Sequence, residues 1–239
     1  MSGLAKSFKT YNRRREGRVS FLFVGSRLCL DFVNTRVIEH GKPVDWLQSG
    51  ADVLRWLKAA AVLGPREARE ATASASGRRL LCEALALREA IERMAAQLAD
   101  GRPVPRSSVA AINRVLRERR EHVELVRSAG GFRTVRHAEA GDPLRVLVPV
   151  ALSAAELLAR DDPARVRRCS NPACILYFYD TTRSRTRRWC SMQGCGNRLK
   201  VAAHRRRLLG RPGSAKVRRR RTPASAGRSA GESQRFRRD

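Results

Sequence analysis

The sequence predicts a mainly α protein with a small β-hairpin, an α+β chain in which a helical N-terminal domain precedes a small module built on four cysteines. Three observations carry this. Only 5% of the 239 residues are aromatic, so a core must be built from Leu, Val, Ile and Ala, which suits helices better than sandwiches. From Arg79 to Leu98 the residues Leu80, Ala84, Leu87, Ile91, Met94 and Leu98 recur at alternating steps of three and four, the stripe of a core-facing helix. Four of the six cysteines fall between residues 164 and 209, a stretch with few large apolar residues to bury them.

Taken in order, residues 1–23 read as a basic flexible arm. In GSRLCLDFVNT, Leu28, Leu30 and Phe32 fit the alternation of a strand, while Leu28, Phe32 and Val33 fit a helical stripe; periodicity leaves both open. Ser49 and Asp52 resemble a capping box ahead of Val53, Leu54, Leu57 and Ala61, and Gly64-Pro65 ends that helix. After the Arg79 helix, Gly101 and Pro103 punctuate the chain. Ser107 or Ser108 is then placed to cap a helix carrying Val109, Ile112, Val115 and Leu116. HVELVRS and FRTVRH around Ala129-Gly130-Gly131 predict a β-hairpin. Leu144 to Arg160 is an apolar helical pattern that either begins or kinks at Pro149. The helical domain is expected over 24–162, the cysteine module with a basic C-terminal helix over 163–209, and a disordered basic tail over 210–239.

The cysteines stand as Cys169-x4-Cys174-x15-Cys190-x4-Cys195. Two soft thiolate pairs at matched spacing are what a closed tetrahedral zinc site requires. Asn171-Pro172 in the first pair and Gly194 in the second provide turns that let the sulfurs converge. ILYFYD is expected as a strand, TTRSRT as a turn and Arg187 to Trp189 as the returning strand. That hairpin is too small to fold alone, so the metal would supply its folding energy. Thioredoxin-like redox motifs use x2 spacing, and a catalytic zinc keeps an open position, so neither redox nor hydrolytic chemistry fits four cysteines. His204 reads as a helix-surface residue rather than a ligand, and Cys29 and Cys82 read as core thiols. One structural Zn2+ held by Cys169, Cys174, Cys190 and Cys195 is the expected cofactor. Arg167, Arg168, Arg188 and Arg198 are placed to offset the negative charge of that site from outside.

The net charge of +28 is unevenly spread. Residues 165–239 carry 22 basic and 3 acidic side chains, residues 1–18 carry 6 and 1, and the middle holds 22 and 18. Cations concentrated at the two ends point to a polyanionic partner. Asn197 to Leu209 predicts a helix with Leu199, Ala202, Ala203 and Leu209 on a modest apolar side. Arg187, Arg188, Arg198, Lys200, Arg205, Arg206 and Arg207 are the candidate nucleic-acid contacts. There is no apolar run long enough for a membrane span and no clustered carboxylates, nucleophile elbow or phosphate loop, so no catalytic residues and no enzymatic activity are expected. A reducing, cytoplasmic and nucleoid-associated location is expected for six cysteines without a disulfide pattern.

CSNPAC followed by FYDTTRSRTRRWCSMQGCGNRLK resembles the CGNR zinc-finger family, whose name is spelled by Cys195-Gly196-Asn197-Arg198. Phe178, Asp180, Thr182, Arg188, Trp189, Ser191, Met192 and Lys200 fall on its pattern; Tyr179 departs from it, where an aliphatic residue is usual. LCLDFVNT and the Trp56 helix resemble the start of the ABATE domain that precedes this finger, so the resemblance covers residues 24–207. It implies a stress-responsive transcriptional regulator that binds DNA through the finger, with the helical domain sensing a signal or mediating association. The competing expectation is an RNA- or ribosome-associated basic zinc protein. DNA is favoured over RNA; a homodimer and a small-molecule effector stay open.

Overall fold

A computed structural model describes residues 21–64, 77–118, 121–128, 130–138 and 143–209. The expected arm up to residue 20 and the expected tail 210–239 lie outside them. Residues 21–23, assigned to the arm on sequence, belong to the body: Phe21 is buried, and Leu22 and Phe23 pack against the core. Among the described residues, those up to Ala202 form one compact unit and those from Ala203 a second.

Helices dominate the first unit. Helix α1, Leu28–Val33, resolves the ambiguity at GSRLCLDFVNT. Cys29, Leu30, Asp31, Phe32 and Val33 are all buried, and a helix covered on every side has no exposed face to generate a period. Strands β1, Arg36–Glu39, and β2, Lys42–Asp45, follow as an antiparallel hairpin that the sequence reading did not identify. Its two-residue turn is His40-Gly41, with φ of 51° and 79°, the conformation that matches strand twist. Pro43 in an edge position and the lack of apolar alternation had hidden it.

Helix α2, Gly50–Ala59, begins as expected. The Ser49 Oγ accepts from the Asp52 N–H at 3.3 Å, and the Asp52 carboxylate accepts from the Gln48 N–H at 3.0 Å. Helix α3, Gly77–Ala99, runs through the centre with Leu80, Ala84, Leu87, Ile91 and Met94 buried. Cys82 lies on its exposed side, which corrects its assignment to the core: it sits two residues from Leu80 and Ala84, off the buried stripe. Helix α4, Arg106–Leu116, starts directly after Pro105 without a side-chain cap. Ser108, an expected cap, is instead buried with no partner for its hydroxyl among the described residues. The expected hairpin forms from β3, Glu121–Ser128, and β4, Gly131–Ala138, with Gly131 at φ 126°. Pro149 lies in the first turn of helix α5, Val148–Ala159, so the proline starts the helix and does not kink it.

One core unites the helices and the β1–β2 hairpin. Trp56 packs with tilted rings against Phe32 at 4.9 Å and Phe23 at 5.9 Å between ring centroids. Arg88, buried on α3, forks onto the Asp45 carboxylate and donates to the Thr35 hydroxyl at 2.9 Å, pinning the β1–β2 hairpin. The same core continues into Leu176, Tyr177, Phe178 and Tyr179 and reaches Cys169, Cys190 and Cys195.

Candidate metal centre

Strand β5, Val166–Arg168, leads into the first cysteine and pairs antiparallel with β6, Tyr177–Tyr179. This corrects the expected hairpin in which the ILYFYD strand pairs with Arg187 to Trp189. The backbone of that later stretch has other partners. The Arg187 N–H donates to the Asp180 carboxylate at 3.0 Å, and the Arg188 carbonyl accepts from the Ser170 N–H at 2.8 Å. The far edge of β6 is closed by the helical body. Asn34 exchanges two hydrogen bonds with the Tyr177 backbone, at 2.8 and 2.9 Å, and the Tyr179 N–H donates to the Gly25 carbonyl at 2.8 Å. A side chain at Gly25 would meet the Asp31 backbone nitrogen and the Leu30 Cβ, each at 2.9 Å, so the packing of this turn against α1 requires glycine.

Both cysteine knuckles are built as local turns. In the first, the Asn171 side-chain oxygen accepts from the Ala173 N–H at 3.1 Å, and the Cys174 N–H donates to the Asn171 carbonyl at 2.9 Å. In the second, the Ser191 hydroxyl accepts from the Gly194 N–H at 3.2 Å and a wide turn, Met192–Gly196, carries Cys195 inward. The four sulfurs lie within 4.8 Å of one another, with Cys174 and Cys190 3.9 Å apart and Cys190 and Cys195 3.7 Å apart. Tetrahedral zinc with bonds of about 2.3 Å separates its sulfurs by about 3.8 Å. The donor set and spacing fit one structural Zn2+, and no fifth ligand from His204 is needed.

Two of the sulfurs also accept hydrogen bonds from neighbouring groups. The Asn171 amide donates to the Cys195 sulfur at 3.2 Å and the Cys190 N–H to the Cys169 sulfur at 3.5 Å. Hydrogen bonds from Cys174, Cys190 and Cys195 pull the Cys169 thiol well below its ordinary range, and hydrogen bonding to Cys169 pushes Cys174 and Cys190 well above theirs. A divalent cation held by these four residues would require them as thiolates, so its binding would be coupled to proton release.

Asp180, fully buried, organises the turn after β6. Burial alone would raise its pKa, but hydrogen bonds from the Thr182 hydroxyl (2.6 Å) and N–H (2.8 Å), with that from the Arg187 N–H, hold it below the usual carboxylate value. Tyr179, the departure from the family pattern, is accommodated by the body. Its hydroxyl accepts from the Asp162 N–H at 3.2 Å, and the Arg27 guanidinium, paired with Asp161, lies 4.0 Å from its ring centroid.

The predicted nucleic-acid contacts separate into two groups. Arg187 is half-buried and fully engaged: its five N–H donors go to Trp189 O, Ser26 Oγ, Tyr179 O, Val24 O and Cys190 O at 2.6 to 3.3 Å, and its guanidinium lies 4.2 Å from the Phe178 ring centroid. It ties a zinc-ligand peptide to the body and has no donor left for phosphate. Arg188, Arg198, Lys200, Arg205 and Arg207 are exposed, as are Arg167 and Arg168 around the site. Helix α6, Asn197–Leu209, starts two residues after Cys195. Leu199 and Ala203 on it are half-buried, whereas Ala202, expected on the apolar side, is exposed; the side chains of Arg206 and Leu209 lie outside the described residues.

Sequence reasoning missed Asn34 and the clamp role of Arg187. The signal for Asn34 was present: Asp31, Asn34 and Thr35 are polar letters inside an apolar run, and all three are buried. No described helix is long and apolar enough to cross a membrane. Residues 165–208 match the CGNR zinc finger, and residues 26–161 match ABATE, described as "Putative stress-induced transcription regulator". No curated protein matches the chain. A match over more than half the chain, joined to a four-sulfur site of zinc dimensions, means that this protein belongs to the ABATE family and carries a CGNR zinc finger.

Proposed function

We propose that the protein is a zinc-dependent transcriptional regulator that binds duplex DNA through the exposed cations of its finger. The observation that carries this reading is the attachment of α6 to the metal site: the helix leaves the second knuckle directly and presents Arg198, Lys200, Arg205 and Arg207 to solvent. Among the described residues none of these four has an acidic partner. Arg198 and Lys200 stand in the first turn after the second knuckle, and Arg205 and Arg207 follow later in the chain. Most of these cations serve phosphate and set affinity; base selection falls to Arg198 and Lys200 on the turn nearest the metal. The helical body senses a signal or mediates association, and no catalytic step is involved.

The test is binding of the zinc-loaded full chain to duplex DNA and to structured RNA across a salt series, beside the Cys190→Ser variant. Duplex binding that follows zinc content and weakens by a log-log slope of about 0.9 per phosphate contact is expected. Tighter binding to RNA at matched salt would instead assign the finger to RNA, and duplex binding indifferent to zinc would remove the finger from recognition.

A further inference from the structure

The β3–β4 hairpin is long and, among the described residues, pairs with no third strand. Each strand has eight residues, about 27 Å at 3.4 Å per residue, yet none of its described side chains belongs to the core. Leu125 and Phe132 are each 65% exposed, and an isolated two-stranded ribbon is marginally stable at best in water.

The register shows how charge is distributed over it. Arg127 lies opposite Phe132, with its guanidinium 5.2 Å from the ring centroid, and Leu125 lies opposite Thr134; these four share one face. Val126 lies opposite Arg133 on the other face. The segment 125–134, LVRSAGGFRT, contains two arginines and no acid; Glu121 and Glu124 are both toward the base. Arg127 and Arg133 are exposed, and neither has an acidic partner among the described residues.

The end of the ribbon, residues 125–134, carries one arginine on each face and an aromatic ring beside the turn, which matches it to a cleft with anionic walls on both sides. A second copy of the chain would cover one face and leave a cation in the contact. The DNA major groove, about 12 Å wide and lined by phosphates on both rims, admits a two-stranded ribbon. We propose that the β3–β4 ribbon is a second DNA-binding element, with Arg127 and Arg133 reaching phosphates on opposite rims and Phe132 packing against bases or sugars between them. The inference rests on the duplex-binding reading above and adds to it a contact made by the ABATE domain itself.

The experiment compares the zinc-loaded full chain with Arg127→Ala/Arg133→Ala, Arg127→Lys/Arg133→Lys and Phe132→Ala. Each is titrated with a mixed-sequence 30-base-pair duplex over a salt series, with zinc content, circular dichroism and sedimentation measured in parallel. Loss of two phosphate contacts lowers the log-log salt slope by about 1.8 and affinity at low salt by tenfold or more. The lysine pair restores the slope, and Phe132→Ala weakens binding with the slope unchanged. An alanine pair that is folded, zinc-loaded and equal to wild type in slope and affinity overturns the ribbon contact and leaves the finger reading intact. A wild-type chain that binds no duplex overturns both. If Phe132→Ala converts a dimer to a monomer without changing affinity per protomer, the ribbon's partner is a second copy and the proposal fails.

Discussion

The two antiparallel pairs β5–β6 and β3–β4 invert the usual relation between strand length and structural weight. The first has three residues per strand, yet Tyr177, Phe178 and Tyr179 are all buried and belong to the same core as Trp56. The second has eight per strand and holds Leu125 and Phe132 in solvent. What separates them is the fate of the outer edge. Asn34 and Gly25 complete β6 from the body, whereas the described side chains of β3–β4 stay out of the core. A pair of strands is structural when something else closes its edge and face, and available for a partner when nothing does.

The largest test of this contrast is removal of zinc. Because Cys169, Cys190 and Cys195 lie in the body's own core, chelation is expected to melt the finger and the helical domain together. The zinc contribution in small fingers, on the order of 10 kcal/mol, is comparable with the whole stability of a domain. In a Trp189→Phe background, Trp46 and Trp56 report the body alone; their fluorescence should follow zinc release. A body that stays folded after chelation would show the finger to be a separable module and break the comparison.

Next in size, Phe178→Ala should cost about 3–5 kcal/mol by chemical denaturation, against no more than about 0.5 kcal/mol for Phe132→Ala. Equal costs would mean that the exposed ribbon is held to the fold after all. Arg187→Met removes five hydrogen bonds, those to Ser26 and Val24 joining the finger to the body, and should cost about 2–4 kcal/mol. Arg188→Met, an exposed neighbour, should leave the denaturation midpoint within experimental error and be read only in DNA affinity.

The smallest effect is a pH slope. Burial raises the Asp31 carboxyl from 3.8 to about 7, against hydrogen bonds from the Gly25 and Val24 N–H groups and the charge of Arg187. The folded state therefore keeps a proton that the unfolded chain loses near pH 4, so this group's contribution to stability falls as pH rises from about 4 to about 7. Asp31→Asn should remove that fall when stability is compared with wild type at matched zinc. Parallel wild-type and variant curves would show that Asp31 ionises normally and that the Gly25 turn holds by other means.

Much of this was legible in the linear chain. The α3 stripe, the Ser49 cap, the β3–β4 hairpin and its turn, and all four metal ligands came from local pattern, because period, cap chemistry and ligand spacing are properties of residues close in sequence. The errors share the opposite character. The β1–β2 hairpin was hidden by Pro43, and Cys82 lay just off a buried stripe. β6 took its neighbour from upstream of the metal site, and Arg187 looked like one more cation in a basic run.

By itself, then, the amino-acid sequence determined a helix-rich body, a Cys169, Cys174, Cys190 and Cys195 zinc site, and a concentration of positive charge near the C-terminus. Only the tertiary structure decided that finger and body share a core, which arginine is a clamp, and which strand pair is left exposed. The physical reason is distance along the chain. Asn34 meets Tyr177 across 143 residues and Arg187 meets Val24 across 163, and no local propensity encodes a hydrogen bond whose partner is chosen by packing.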